Sequence, residues 1–418
     1  MDRYVVISAD MHAGATIAGY RPYLASQWHD EFDAWSSTVT SRWTEPDPED
    51  EIARCRFDSA LRLARLEAEG IVAEVLFPDT QPPFYPSSAV FASQPRNDED
   101  YRRRFAGLQA HNRWTVDFCA EVPGRRKAPV QVFLYDIDDA VAEIRWGAAH
   151  GMPAVLVPAI APNHPLPGLW HERYDPIWAV CEELAIAVNQ HIGAGTPDVS
   201  AHPADGAALM YEVHWFARRS LWHMIFGGVF DRFPSLKLIM TEEGLGWTEP
   251  ELRRLDYYVG NVKNRPELDQ SKFGSRALGP LQLMPSDYFA RNCWIGASAL
   301  SPAEIGYRHE VGIDRIMWGA DYPHPEGTIP HNREALRATF AGLPEHECRA
   351  MLATNAADVY GFDLHALAPL AARLGPTVAE VATPLDAYPA GSNFEIYMGP
   401  LHPESGRPVA FSGAITAR

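Results

Sequence analysis

The chain has 418 residues, of which 46% are hydrophobic, and its formal net charge is -18 at pH 7. That charge disfavours nucleic acid as a partner, and no apolar run approaches the roughly 18 residues that span a membrane. The start, MDRYVVISAD, lacks the basic and apolar regions of a signal peptide, so we expect a cytoplasmic protein. The five cysteines are scattered and never spaced C-x-x-C, which argues against disulfides and against a thiolate zinc site.

Short apolar runs alternate with longer amphipathic stretches, and eight such alternations predict an α/β fold, a parallel (β/α)8 barrel. An open, doubly wound sheet fits the same pattern, although no glycine-rich nucleotide-binding motif follows the first strand. The predicted strands are residues 5–7, 71–77, 128–133, 154–157, 186–189, 236–240, 294–295 and 316–318. The predicted helices are residues 57–69, 98–120, 141–149, 176–184 and 215–226.

Two segments do not fit this alternation. Residues 13–56 are too long for a simple connection and contain Trp28, Trp35 and Trp43, so we predict a cap over the barrel mouth. The alternation ends at residue 362, after which the chain becomes rich in Gly, Pro and Ser. We therefore predict a barrel over residues 1–362 and a C-terminal extension over residues 363–418, which could contact a second subunit in a homodimer.

Four residues able to bind a metal ion fall at the predicted strand ends. Asp10 and His12 alternate after the first strand, His191 precedes a glycine-rich turn after the fifth, and Asp321 follows the eighth. Barrel enzymes keep their active sites at the C-terminal ends of the strands. Imidazole and carboxylate ligands without thiolates are typical of catalytic sites, so we predict one divalent ion, zinc first, with manganese or iron as alternatives.

The segments ISADMH, NQHIGAG, GGVFDRFPSLKLIMTEEG, GADYPHPEG and NAADVYGF together resemble a known family. This is the amidohydrolase superfamily, in the amidohydrolase-2 branch typified by aminocarboxymuconate-semialdehyde decarboxylase and γ-resorcylate decarboxylase. The resemblance extends over residues 4–362. It implies a distorted TIM barrel with one metal ion held by Asp10, His12, His191 and Asp321, and it implies that Asp321 also transfers protons.

One position departs from the pattern of that branch. Its decarboxylases usually carry a histidine after strand six, where this chain has Glu242. A carboxylate there can act as a base if burial raises its pKa, or it can pair with a cationic substrate or an arginine. His324 is a further catalytic candidate, because it follows Asp321 closely enough to reach the mouth and polarise a carbonyl group.

The missing histidine favours hydrolysis as the predicted reaction. In that hypothesis, metal-activated water attacks an amide, amidine or ester-type carbon of a small organic or peptide-like substrate, and Asp321, Glu242 and His324 handle the protons. Non-oxidative decarboxylation of an aromatic or unsaturated acid uses the same residues and is the first alternative. A non-catalytic, metal-dependent binding protein is the second.

Overall fold

Parallel strands form the centre of the computed structural model, which describes residues 2–42, 47, 49–162, 164–193, 195–198, 200, 202–265 and 267–401. Strands β1, β2 and β3 pair in chain order in one sheet, and β4 to β9 pair in chain order in another. The strands are β1 (Ile7–Ala13), β2 (Ala73–Pro78), β3 (Arg126–Lys127), β4 (Pro129–Gln131), β5 (Ala154–Leu156), β6 (Ala187–His191), β7 (Leu238–Thr241), β8 (Cys293–Ser298) and β9 (Ile316–Gly319).

Backbone hydrogen bonds connect the first strand with the residues after the last. The amide of His12 donates to the carbonyl of Tyr322 (2.8 Å), and the amide of Asp321 donates to the carbonyl of Asp10 (2.9 Å). Side chains from both sheets pack in one central cluster, which we call the lumen. The predicted α/β fold, a distorted TIM-barrel-like arrangement, is therefore confirmed.

Helices cover the outside of the strands. No helix in the described part of the chain is both long and apolar enough to span a membrane. The longer helices are α1 (His29–Ser36), α2 (Ser59–Ala68), α3 (Asp98–Ala120), α4 (Ile137–Ala149), α5 (Asp175–Glu183), α6 (Pro203–Phe226), α7 (Thr248–Asn264), α8 (Asp269–Leu278), α9 (Pro285–Asn292), α10 (Asn332–Phe340), α11 (Asn355–Tyr360) and α12 (Leu364–Leu374).

Helix α11 and the turn before it close the N-terminal end of the lumen. Ala353, Ala356 and Tyr360 belong to the same buried cluster as the inward side chains of the strands. The Tyr360 hydroxyl also accepts a 2.8 Å hydrogen bond from the side-chain amide of Asn189 on β6. The opposite, C-terminal end of the strands is therefore the end at which a site can open.

The first strand is longer than predicted and contains a bulge. The sequence predicted residues 5–7, whereas β1 begins at Ile7 and continues through Ala13, with an irregular register between Ser8 and Met11. Ala9 faces the lumen, but Met11 packs in the outer core, so the alternation inverts between them. Polar residues interrupt the apolar run here, which is why the apolar pattern underestimated the strand.

The segment predicted as a cap packs beside the mouth of the barrel. Leu24 and Phe32 form a buried cluster with Phe84 and with side chains of α3. Phe84 belongs to residues 79–97, which connect β2 to α3 and which we call the mouth loop. Trp43, which the sequence analysis placed in the cap, lies outside the described residues.

The first part of the C-terminal extension packs on the same chain. The amide of Tyr4 donates to the carbonyl of Pro376 (2.9 Å), and Phe394 is buried against Ala335 of α10. Residues 402–418, which complete the predicted extension, lie outside the described residues. All five cysteines are free thiols.

Candidate metal centre

The structure brings Asp10, His12, His191 and Asp321 together at the C-terminal end of the lumen. The Nε2 atoms of His12 and His191 each lie 3.5 Å from Oδ1 of Asp10, and His12 Nε2 lies 3.1 Å from Oδ1 of Asp321. All four side chains are at most 2% exposed. Asp10, His12 and His191, from β1 and β6, thus form one group of possible ligands, and Asp321, which follows β9, adjoins this group through His12.

Unpaired polar atoms at this point fit a bound cation. Oδ1 of Asp10, Nε2 of His12 and Nε2 of His191 are buried and have no hydrogen-bond partner among the described residues. Buried polar atoms normally find a partner, so three such atoms facing one another indicate a group that the protein itself does not supply. Their nitrogen and oxygen chemistry suits zinc, manganese or iron.

Surrounding hydrogen bonds hold these ligands in orientation. His191 donates through Nδ1 to the carbonyl of Ile192 (2.9 Å), which leaves the lone pair of Nε2 free for a cation. The Ser298 hydroxyl donates to Oδ2 of Asp10, and this leaves Oδ1 facing the histidines. Burial and the nearby His324 lower the pKa of His12, so its ring is neutral, as a metal ligand must be.

A buried cluster of ion pairs contacts the backbone of His12. Glu74 on β2 is paired with Arg62 (2.7 Å) and Arg126 (2.9 Å), and Arg62 also donates to the carbonyl of His12 (2.8 Å). Burial alone would raise the pKa of Glu74, but the two guanidinium groups lower it and keep the carboxylate charged. The cluster thus connects α2, β2 and β3 to the strand that carries two of the candidate ligands.

A row of charged side chains leads from Asp321 to the mouth loop. His324 donates through Nδ1 to Oδ1 of Asp321 (3.0 Å), and its Nε2 lies 3.6 Å from Oδ1 of Asp79. Asp79 in turn forms a buried ion pair with Arg56. Burial favours neutral His324, but Asp321 and Asp79 outweigh it and raise the pKa of His324 to about 11. His324 is therefore protonated at neutral pH.

Glu242 lies on the other side of the same group. Its carboxylate oxygen is 3.6 Å from Nδ1 of His191, and it forms a compact set with Asp321, His324 and Glu326 whose ligand atoms lie within 4.8 Å of one another. Burial, then Asp321 and Asp10, raise the pKa of Glu242 well above its usual value. Glu242 is thus neutral over a wider pH range than an ordinary glutamate, and a neutral carboxyl group can donate a hydrogen bond.

Two of these residues have strained backbones. Glu242 has φ of 60° and Asp321 has φ of 55°, in the left-handed region that side chains other than glycine rarely adopt. Such strain costs on the order of 1–3 kcal/mol per residue and persists where the surroundings enforce it. Beside Glu242, the buried Glu243 carboxylate accepts a 2.7 Å hydrogen bond from Nε of Arg218, and we infer that this contact restrains the turn.

The residues predicted from the sequence fall in three overlapping groups that share His12, Asp321 and His324, and these groups contain all six: Asp10, His12, His191, Asp321, Glu242 and His324. Three further residues contact this site and were not predicted from the sequence: Asp79, Ser298 and Glu326. Glu326 could have been found, because it lies two residues after His324 in the same segment. Ser298 and Asp79 meet their partners only through the fold, since 288 residues separate Ser298 from Asp10.

Comparison with known proteins places the chain in a family. Residues 77–362 match the sequence model of the amidohydrolase family. A γ-resorcylate decarboxylase from Polaromonas sp. (strain JS666) is 26% identical over 157 residues, which cover 36% of this chain and 44% of that protein. The chain thus matches under half the length of this relative.

Two solved structures share the fold. A 5-carboxyvanillate decarboxylase from Novosphingobium aromaticivorans, complexed with manganese and 4-hydroxy-3-methoxy-5-nitrobenzoic acid, is 21% identical with a TM-score of 0.63, covering 86% of this chain and 96% of that one. A dihydroxybenzoic acid decarboxylase from Polaromonas sp. JS666, with bound manganese and 2-nitroresorcinol, is 18% identical with a TM-score of 0.57, covering 86% and 97%. The chain belongs to the amidohydrolase family, in its amidohydrolase-2 branch.

Proposed function

We propose that this protein is a metal-dependent, non-oxidative decarboxylase of an aromatic carboxylic acid. The observation that carries the proposal is the double position of Asp321, which faces His12 in the candidate metal centre and accepts a hydrogen bond from protonated His324. One carboxylate thereby connects a cation site to a proton source. The relatives support the reaction, because the γ-resorcylate, 5-carboxyvanillate and dihydroxybenzoic acid enzymes are all decarboxylases.

Asp10, His12, His191 and Asp321 would hold the metal ion. We propose manganese or zinc, since both accept imidazole and carboxylate ligands and two related structures contain manganese. When bound, the ion would anchor the substrate carboxylate and polarise a neighbouring oxygen.

The residues of the chain supply the proton for the reaction. A proton passes from His324 through Asp321 to the ring carbon that bears the carboxylate group. The bond between that carbon and the carboxylate then breaks, its electron pair returns to the ring, and carbon dioxide leaves. Arg56 and Asp79 keep His324 in place throughout, because Asp79 contacts its second ring nitrogen.

Glu242 is compatible with this reaction. From the sequence alone, the lack of an imidazole at this position favoured hydrolysis. In the fold, however, the raised pKa of Glu242 allows a neutral carboxyl group that donates a hydrogen bond, as a histidine would. The departure from the decarboxylase pattern is therefore a change of donor, and we propose decarboxylation ahead of hydrolysis.

Product analysis tests the proposal. The protein reconstituted with manganese or zinc is incubated with 2-hydroxybenzoate, 2,6-dihydroxybenzoate and 5-carboxyvanillate, and in parallel with a panel of amides and esters. We expect carbon dioxide release from at least one acid and its loss in Asp321→Asn. Release of amine or alcohol without carbon dioxide would establish hydrolysis instead. Metal binding without any turnover would favour the non-catalytic alternative.

A further inference from the structure

A small cavity lies between the mouth loop and the ends of β4 and β5. Tyr85 from the loop, Gln131 from β4 and Leu156 from β5 line it, together with the ring of Phe133. Its volume of about 30 Å³ exceeds the 10–15 Å³ that a single water requires. The cavity can therefore accept a substituent of one or two heavy atoms.

The strand register places this cavity at the same mouth as the candidate metal centre. Gln131 pairs with Leu156, and Leu156 pairs with Asn189 on β6, two residues before His191. Paired residues of neighbouring strands share a face, as do residues two apart on one strand, so Gln131, Leu156 and His191 all face the lumen. Strands lie about 4.8 Å apart, which puts β4 and β5 about 5–10 Å from β6, the span of one substituted ring.

Two hydrogen-bonding groups of the cavity wall are unpaired. The hydroxyl of Tyr85 and the side-chain nitrogen of Gln131 are buried and have no hydrogen-bond partner within the part of the chain that the structure describes. Tyr85 is 2% exposed and Gln131 is 6% exposed, so bulk water does not satisfy them. Leaving such donors unpaired costs about 1–3 kcal/mol each, which favours an acceptor that enters from outside.

A buried cation next to the cavity strengthens the preference for an acceptor. The guanidinium of Arg104 lies 4.9 Å from the ring centre of Tyr85 and 5.1 Å from that of Phe133. Its side chain is 3% exposed, and its carboxylate partner Asp100 is 3.4 Å away and 40% exposed. Arg104 also donates to the carbonyl of Ser93 (2.6 Å), which is uncharged, so the positive charge is incompletely neutralised and favours an electron-rich group near the two rings.

We propose that this cavity, formed by Tyr85, Gln131 and Phe133, is a subsite for a second oxygen substituent on the ring of the aromatic substrate. The proposal rests on the proposed function, because it assumes that the metal centre holds a ring acid. The Tyr85 hydroxyl and the Gln131 amide donate to the substituent, and Phe133 and Leu156 contact the edge of the ring. The subsite distinguishes dioxygenated rings from rings with a single oxygen.

Binding of non-reacting analogues tests the subsite separately from the reaction. The probes are 2-nitrophenol and its four ring-hydroxylated derivatives, which carry no carboxylate and so cannot release carbon dioxide. They are titrated calorimetrically into the manganese-loaded full chain. We expect at least one derivative to bind about 3- to 10-fold more tightly than 2-nitrophenol, the gain from one or two additional hydrogen bonds.

The gain in affinity is the ratio between the dissociation constants of 2-nitrophenol and of the hydroxylated derivative. The variants Tyr85→Phe and Gln131→Leu should each reduce this ratio towards one. Tyr85→Phe removes an unpaired hydroxyl, so it should fold as the wild type does. Tyr101→Phe is the matched control, because Tyr101 belongs to the same aromatic cluster but donates its hydroxyl to Asp139 (2.6 Å). That variant should retain the gain.

Three outcomes would overturn the subsite: no probe binds, all probes bind equally, or the gain survives in both cavity variants because the cavity holds only water. A gain that depends on Tyr85 and Gln131 supports it, even if no acid is decarboxylated. In that case the proposed reaction fails and the subsite stands.

Discussion

Nδ1 of His324 lies 3.0 Å from Oδ1 of Asp321, in a hydrogen bond that connects the candidate metal centre with the edge of the mouth. The same carboxylate oxygen lies 3.1 Å from Nε2 of His12. A group in this position can contact a cation and exchange a proton within the same structure. The two roles can be separated by substitutions that keep the shape of the side chain.

Asp321→Asn should separate them, because an amide oxygen can still contact a metal ion but the group cannot carry the proton. We expect kcat for carbon dioxide release to fall about 10²- to 10⁴-fold, the range typical of a lost acid–base group. Metal content, measured by mass spectrometry, should stay within about twofold of wild type. Asp314→Asn is the control, since that side chain is 73% exposed and lies outside the site. Full activity of Asp321→Asn would contradict the proposed proton path.

Removal of the metal should destabilise the fold as well as stop the reaction. A chelator leaves the buried polar atoms of Asp10, His12 and His191 facing one another without a cation. Manganese at about 100 times its dissociation constant should raise the free energy of unfolding by about 2.7 kcal/mol, which thermal unfolding can follow. His191→Ala should lose this response. Identical melting temperatures with and without metal would argue against the site.

Substitutions at Glu242 should distinguish a hydrogen-bond donor from a base. If Glu242 donates as a neutral carboxyl group, Glu242→Gln should keep kcat within about tenfold, whereas Glu242→Ala should lower it about 10²-fold. If Glu242 is a base, the two variants should be equally inactive. The comparison uses kcat from steady-state measurements with the acid that the wild type decarboxylates fastest.

The adjacent carboxylate should behave differently. Glu243→Leu leaves the guanidinium of Arg218 without its 2.7 Å carboxylate partner, although the Arg218 side chain is 22% exposed and so partly hydrated. We expect a loss of about 2 kcal/mol in the free energy of unfolding, measured by urea denaturation. Wild-type stability would mean that Arg218 is satisfied elsewhere and that the restraint on Glu242 does not come from Glu243.

Glu69 should make stability depend on pH through a site remote from the metal. Burial is the main cause that raises the pKa of Glu69 to about 7, so the native state holds a proton that the unfolded chain releases above about pH 4.5. Stability should therefore fall as pH rises from about 4.5 to 7. Because the side chain is partly exposed, the loss should be on the order of 1 kcal/mol.

The test compares urea midpoints at pH 5 and pH 8. Glu69→Gln should remove this part of the pH dependence and be more stable than wild type at pH 8, while the exposed Glu310→Gln should change nothing. An equal pH dependence in Glu69→Gln and wild type would show that Glu69 titrates normally.

The sequence predicted most of the strands because they are buried on both faces and therefore read as apolar runs. It did not predict β3 (Arg126–Lys127), which is two residues long and charged. Residues 316–318, for example, correspond to β9 (Ile316–Gly319). It also placed the ligand candidates at the C-terminal ends of the strands. It could not predict the bulge between Ser8 and Met11, because a bulge depends on the register against β2.

The sequence was less informative about the reaction. From the sequence, Glu242 in place of a histidine favoured hydrolysis. The raised pKa of Glu242 comes from burial and then from Asp321 and Asp10, and neither its burial nor these distant neighbours could be read from the sequence. The shared cavity of Tyr85 and Gln131 could not be predicted either, because neither residue belongs to a motif and the two line the same space only in the fold. A pKa shift or a cavity that arises from residues distant in the sequence can be identified only in the folded structure.

Closure of the N-terminal end of the lumen by α11 has a consequence for the order of events. The candidate ligands are at most 2% exposed, whereas the side chains of Glu242 and His324, nearer the mouth, are 19% and 22% exposed. The more exposed side chains thus mark the side of the centre that is nearer to solvent. We therefore expect the ion to bind before the substrate, and a bound substrate to slow exchange of the ion that lies deeper.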